Sequence, residues 1–187
     1  MQNDIDHALT VLKSGGIILY PTDTIWGIGC DATNVEAVKK IYQLKQREET
    51  KSMLVLVDNP DRILWNVKEV PEIAWQLIEV SDKPMSIIYP GAINLAKNLI
   101  GADGSIGIRV VNDEFCQKLI ARLNRPIVST SANISGQSAP TIFNEISQVI
   151  KDGVDYIVKW RQNDINKAIP SSIIKIGLRG EIEILRK

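Results

Sequence analysis

Apolar residues recur along the chain with two periods, and the switches between them predict the elements. Ile5, Ala8, Leu9 and Leu12 share one face of a helix over 4–14, which Gly15-Gly16 stops. Ile17 to Tyr20 is a short buried strand, and Pro21 then opens the polar turn Thr22-Asp23-Thr24. Val38, Ile41 and Tyr42 form the stripe of a second helix, from Asn34 to Gln46, with Thr33 and Glu36 at capping-box spacing. Met53–Val57 reads as a strand. Pro60 and Pro71 suit the first turn of helices over 60–66 and 71–79. Ser86–Tyr89 and Ile106–Val111 read as strands, and Phe115, Leu119, Ile120 and Leu123 mark a helix over 113–123. Ile127-Val128 is a short buried strand running into Ser129-Thr130-Ser131-Ala132-Asn133. A helix over 141–151 with Thr141 as N-cap, then strands over 155–158, 172–176 and 181–185, complete the chain, the last two as a hairpin around Gly177–Gly180.

Helices and strands interleave without a repeat or a composition break. The expectation is one α/β domain over 1–187, a twisted mixed sheet with flanking helices. The strands are short and irregularly spaced, so a doubly wound nucleotide fold fits only in part. Composition agrees with a packed domain: 44% hydrophobic and 24% charged residues exclude a disordered chain. The longest apolar runs, such as Met53-Leu54-Val55-Leu56-Val57, fall far short of the roughly 18 residues of a membrane span. The N-terminus is acidic and lacks an apolar signal core, and Cys30 and Cys116 form no CxxC pair. A reduced, cytoplasmic protein without membrane contact or zinc is expected. The 22 basic and 22 acidic residues balance, which argues against strong non-specific nucleic-acid binding.

The chemistry is narrowed first by one count. His7 is the only histidine and lies in the first helix, so a Ser-His-Asp, Cys-His or histidine-metal site would have to use it. No GxxxxGK[ST] loop is present. Gly27-Ile28-Gly29-Cys30-Asp31-Ala32 matches G-x-G-x-x-A, but the acidic residue wanted about 20 residues on is replaced by Lys45, Arg47 and Lys51. Close packing of strand on helix is the better account of those glycines. The segment from Lys39 to Lys51 carries five positive and two negative residues. Lys45, Arg47 and Lys51, at the end of the second helix and in the loop before a buried strand, suit a polyphosphate. Three hydroxyl-rich segments follow short apolar strands: Thr22-Asp23-Thr24, Ser129 to Asn133, and Ser171-Ser172. Each alone could be turn-making chemistry. Together with the cations they favour a polar, anion-accepting crevice at strand ends.

These segments, in this order, resemble the YrdC-domain family of threonylcarbamoyl-adenylate synthases. Tyr20-Pro21-Thr22-Asp23-Thr24-Ile25-Trp26-Gly27-Ile28-Gly29 is similar to the family's PT[ED]TxYGLG stretch, with Trp26 where tyrosine is usual. Lys45 to Lys51 resembles its KxRxxxK segment, and Ser129 to Gly136 its SxSANxSG stretch. Ser171-Ser172-Ile173-Ile174 followed by Ile184-Leu185-Arg186 resembles the family's ending, with Pro170-Ser171-Ser172 in place of Glu-Ser-Thr. The resemblance implies a concave basic cavity and synthesis of threonylcarbamoyl-AMP from L-threonine, bicarbonate and ATP, for the t6A modification of tRNA. It implies Mg²⁺ with the ATP, although no carboxylate cage is visible in the sequence. It further implies downstream transferase proteins of the t6A pathway as partners, with a weak tRNA contact left open. Carried over, Lys45, Arg47, Lys51, Ser131, Asn133 and Arg186 would hold ATP. Thr22, Thr24, Arg109, Ser129 and Ser171 would hold threonine or its carbamate. No residue acts as nucleophile or histidine base; the demand is positioning and charge stabilisation.

Two other classes stand beside this one: a YciO-like paralogue of different activity, which Lys45, Arg47 and Lys51 argue against, and an RNA-binding module, which zero net charge and few aromatics argue against. The lone histidine yields a test. His7→Ala is expected to leave turnover and its pH profile near pH 6–7 unchanged; a large loss in a folded variant would refute a mechanism without a histidine base.

Overall fold

The computed structural model describes all 187 residues. Its nine strands are β1 (Ile18–Tyr20), β2 (Gly27–Gly29), β3 (Leu54–Val57), β4 (Met85–Tyr89), β5 (Ile106–Val110), β6 (Ile127–Ser131), β7 (Tyr156–Ile157), β8 (Ser172–Ile176) and β9 (Ile182–Arg186). They form one sheet in the order β7-β1-β2-β6-β3-β5-β4-β8-β9. β1 with β7, β3 with β5 and β4 with β8 are parallel, and the remaining neighbours are antiparallel. The sheet is therefore mixed, as expected, and not doubly wound. The helices are α1 (Gln2–Lys13), α2 (Val35–Lys45), α3 (Glu72–Val80), α4 (Glu114–Leu123) and α5 (Gln148–Asp152). None is long and apolar enough to cross a membrane.

The two-residue period of the strands sends alternate side chains to opposite faces. Ile18, Tyr20, Leu56 and Ile127 pack with Ile5 and Leu12 of α1 and Phe115 and Leu119 of α4. Ile17, Leu19, Val55, Val57 and Val128 face the other way, onto Val38 and Ile41 of α2 and Ala74 of α3. Each such fully buried aliphatic contributes about 1.5–3 kcal/mol. The two layers differ in extent: α1 and α4 cover only part of their face, and the uncovered remainder holds the candidate site.

Local chemistry corrects several boundaries. The side chain of Asn34, not Thr33, caps α2, its Oδ1 accepting from Glu36 N and Ala37 N. Thr33 is drawn off because its hydroxyl donates to Asp31 Oδ1 at 2.7 Å. Pro60–Trp65 is a 3-10 helix. The helix expected over 141–151 is broken: a 3-10 turn spans Phe143–Glu145, and α5 begins only after Ser147. Ile142 and Ile146 are extended on either side of that turn, and Ile146 is buried in the core. Thr141 does not cap a helix; its N–H and hydroxyl both donate to Glu145 Oε2. The strand expected as Ile127-Val128 runs on to Ser131, so the serines belong to it.

Gly27 and Gly29 form β2, a strand the sequence did not suggest. A Cβ on Gly29 would lie 2.5 Å from the Val128 carbonyl oxygen and 2.6 Å from the Tyr20 ring. The close neighbours are thus the flanking strands β6 and β1 and not a helix. Tyr20 is fully buried and donates its hydroxyl to that same carbonyl at 3.1 Å, so the ring cannot move aside without losing the bond. Gly29→Ala should destabilise the fold by about 1–3 kcal/mol, read as a lowered urea midpoint. An unchanged midpoint would show that β2 can slide.

Candidate functional site

Where the sheet continues past α1 and α4, its exposed face bounds a cavity of about 310 Å³. Register explains the lining. Leu54 on β3 stands opposite Ser129 on β6, and Arg109 on β5 stands opposite Leu56, so all four share the α1/α4 face. Gly107 is opposite Ile88, Ser86 opposite Ile173, and Ile173 opposite Arg186, which carries the same face across to β9. Ser129, Ser131, Arg109, Ser86 and Arg186 line the cavity from the strands, and Thr24, Trp26, Arg47, Ser52 and Ser171 from the loops and the turn around them. The lining holds three arginines, six serines and two threonines, and no aspartate or glutamate.

The arginines are only partly satisfied within the chain. Arg47 donates Nε to Lys51 O at 2.8 Å and Nη2 to Ser52 O at 3.0 Å. Arg186 donates Nε to Ser171 O at 2.8 Å. Arg109 is 3% exposed, and its Nη2 lies 3.0 Å from Asp23 Oδ1, yet neither Nη2 nor Nε makes a hydrogen bond. The pair is close enough to attract but misaligned for donation. Burial, then the Arg109 charge, lowers the Arg186 guanidinium below its usual range. Two guanidiniums that repel one another are relieved by an anionic ligand between them.

Seven of the eleven residues carried over by resemblance stand together in this lining: Thr24, Arg47, Arg109, Ser129, Ser131, Ser171 and Arg186. Four do not, and each has a physical reason. Lys45 is 2% exposed, with Nζ donating to Ser131 O at 2.5 Å and Asn133 O at 2.6 Å. It ties the end of α2 to the turn that leaves β6, and Ser135 N returns a bond to Lys45 O. Asn133 closes that same turn, donating Nδ2 to Ile134 O and Gln137 O. Thr22 is buried and stiffens its own turn, Oγ1 accepting from Thr24 N and donating to Ile25 O. Lys51 points outward, 59% exposed, beside Glu48 at 3.4 Å. His7 is exposed on α1, stacked on Tyr156, away from the cavity.

Ser52, Ser86 and Ser105 line the cavity without having been singled out from the sequence. Ser86 shares a 2.8 Å hydrogen bond with Ser171 and is 1% exposed. Its one signal was a serine at an alternating position inside the apolar strand Met85-Ser86-Ile87-Ile88-Tyr89. Trp26 forms part of the wall and packs at 4.8 Å on Phe143. Among the 187 residues no group of three His, Cys, Asp or Glu side chains could hold a metal ion, so the donor set offers a magnesium ion no protein cage.

Fold and lining together define an α/β protein with an arginine- and hydroxyl-lined cavity at its sheet. Residues 10–187 match the family Sua5_yciO_yrdC, described as telomere recombination, and the chain belongs to that family. It is 31% identical over 184 residues to the threonylcarbamoyl-AMP synthase of Pseudoalteromonas translucida (strain TAC 125), covering 97% of both chains. The crystal structure of E. coli YciO superposes with a TM-score of 0.85 at 21% identity, covering all of this chain and 90% of that one. P. abyssi Sua5 complexed with L-threonine superposes with a TM-score of 0.82 at 24% identity; the match covers 92% of this chain and half of that one. These two likenesses establish the fold, and the resemblance read from the motifs agrees with it.

Lys45 supplies a test of the buried brace. Burial, then the Arg47 charge, lowers its ammonium from 10.5 to about 8. Between those values the unfolded chain holds the proton that the folded chain has lost, so folding stability rises as pH climbs from about 8 to 10.5. Below pH 8 the buried charge is a constant penalty. Denaturation at pH 7 and pH 10 should move the wild-type stability relative to Lys45→Met by up to about 3 kcal/mol in favour of wild type. No relative movement would show that the amine is not desolvated.

Proposed function

We propose that the chain is an enzyme that makes threonylcarbamoyl-AMP and pyrophosphate from L-threonine, bicarbonate and ATP, for the t6A modification of tRNA. One observation carries the reading: an arginine- and hydroxyl-lined cavity without a carboxylate, in a chain that matches a threonylcarbamoyl-AMP synthase over nearly its whole length. The threonine amine and bicarbonate condense to a carbamate with loss of water. A carbamate oxygen then attacks the α-phosphorus of ATP, and pyrophosphate leaves. The carbamate and the triphosphate are both anionic, so the protein's task is to hold like charges together.

Arg47 and Arg186, which flank the cavity from α2's exit and β9, take the phosphates, with Ser131 on phosphate or ribose. Arg109, with Thr24, Ser129 and Ser171, takes the amino-acid carboxylate or the carbamate. Lys45, Asn133 and Thr22 act beneath the surface by fixing the turns that carry these groups, and Lys51 contributes only at long range. Any magnesium arrives on the phosphates and is held by their oxygens, because the lining supplies no carboxylate. The product is passed to downstream transferase proteins of the pathway, and the setting is cytoplasmic.

ATP should be converted to an AMP-linked product only when threonine and bicarbonate are both present, read as pyrophosphate release. Release indifferent to threonine would favour the YciO-like alternative. Arg47→Ala and Arg186→Ala should each weaken ATP binding about 10- to 150-fold, measured by calorimetric titration. Lys40→Ala should be near neutral, since its Nζ reaches only the Gly15 carbonyl. Equal losses at Lys40 and Arg47 would show that general charge alone matters.

A further inference from the structure

The polar turn Thr22-Asp23-Thr24 sends its three side chains to three different tasks. Thr22 closes the turn, and Thr24 lines the substrate cavity. Asp23 does neither: it lines a separate cavity, bounded also by Ile108 and Asn112. We propose that Asp23 is the positioning residue of Arg109, holding the guanidinium in place from behind so that its donors meet the anionic group of the small substrate. The proposal rests on the reading that Arg109 receives that group.

Four observations support it. Asp23 Oδ1 lies 3.0 Å from Arg109 Nη2, with the side chains 6% and 4% exposed. Water therefore neither screens the pair nor replaces it. Asp23 is itself fixed: its Oδ2 accepts from Asn112 N at 3.1 Å, and the Thr22 carbonyl next to it accepts from Arg161 Nη1 at 3.1 Å. Arg109 needs a counter-charge, because the cavity lining carries Arg47 and Arg186 and no acid. Finally, Arg109 Nε and Nη2 are buried without hydrogen bonds, so on that side the guanidinium is held by its attraction to Asp23. Attraction to Asp23 at the buried Nη2 fixes the direction in which the guanidinium meets the cavity that Arg109 lines. A neutral side chain at position 23 would let Arg109 turn away from Arg186 and lose that direction.

The closing experiment combines kinetics with a measurement that needs no substrate. D23N should raise the KM for threonine about tenfold or more with a smaller change in kcat, while ATP binding by calorimetry is unchanged. The double variant D23N/R109Q should be no worse than R109Q alone, because the aspartate acts through the arginine. An unaltered threonine KM in folded D23N, or losses that multiply in the double variant, would overturn the proposal. The second arm observes the Arg109 guanidinium nitrogens by NMR, assigned by their loss in R109Q. Hindered rotation, with resolved Nη signals, is expected in the ligand-free wild type. Freely averaged signals there would overturn the positioning role, whether or not D23N folds and whether or not threonine is the substrate.

Discussion

The sheet is continuous only through β6. On one edge Leu54, Val55 and Leu56 of β3 pair with Ser129, Val128 and Ile127; on the other, Gly27 and Ile28 of β2 pair with Ser131 and Thr130. Without β6, the strands β7-β1-β2 and β3-β5-β4-β8-β9 would be two separate sheets with exposed edges. The same five residues change chemistry midway. Ile127 and Val128 are buried in opposite cores, and Ser129 and Ser131 then turn hydroxyls into the cavity. The Lys45 ammonium holds the exit of the strand by two carbonyls. One strand thus joins the fold's halves and opens the site, and a single buried cation sets where it stops.

The layers on the two sides of the sheet divide the work. The face toward α2 and α3 is apolar along its central strands. The face toward α1 and α4 is apolar beneath the helices and polar beyond them, where arginines and serines occupy positions that an aliphatic side chain could fill. Buried arginines with unmet donors weaken a fold. The chain tolerates them because the opposite layer and the α1–α4 cluster are fully packed, a local loss of stability of the sort that binding sites commonly carry.

Much of this was legible because it follows a period. The apolar stripes located α1, α2 and α4, apolar segments located β3, β5 and β8, and polar–apolar alternation over 181–185 located β9, each within a residue or two. Motif resemblance gathered seven residues that the cavity does bring together. What escaped notice obeyed no period. β2 is a three-residue strand of two glycines and one isoleucine, set by its neighbours and not by its own propensity. The segment over 141–151 has a helical pattern, but Glu145 folds back onto Thr141 and the buried Ile146 takes an extended conformation. Lys45 and Asn133 carry the residue types of phosphate ligands, and only the path of the backbone reveals that carbonyl oxygens already engage them. Asp23 was visible as a turn residue, but its partner Arg109 lies 86 positions away, a distance no local reading spans.

The two thiols give the layers separate reporters. Cys30 is 0% exposed in the core beneath α2, and Cys116 is 0% exposed on the buried face of α4. Burial raises both above the usual thiol range, so neither is a reactive thiolate in the folded chain. A thiol-modifying reagent can therefore reach each only when its own layer opens. The two labelling rates measure the local opening free energies of the two halves of one cooperative sheet, and their ratio tells whether the site-bearing layer breathes independently of the layer that supports it.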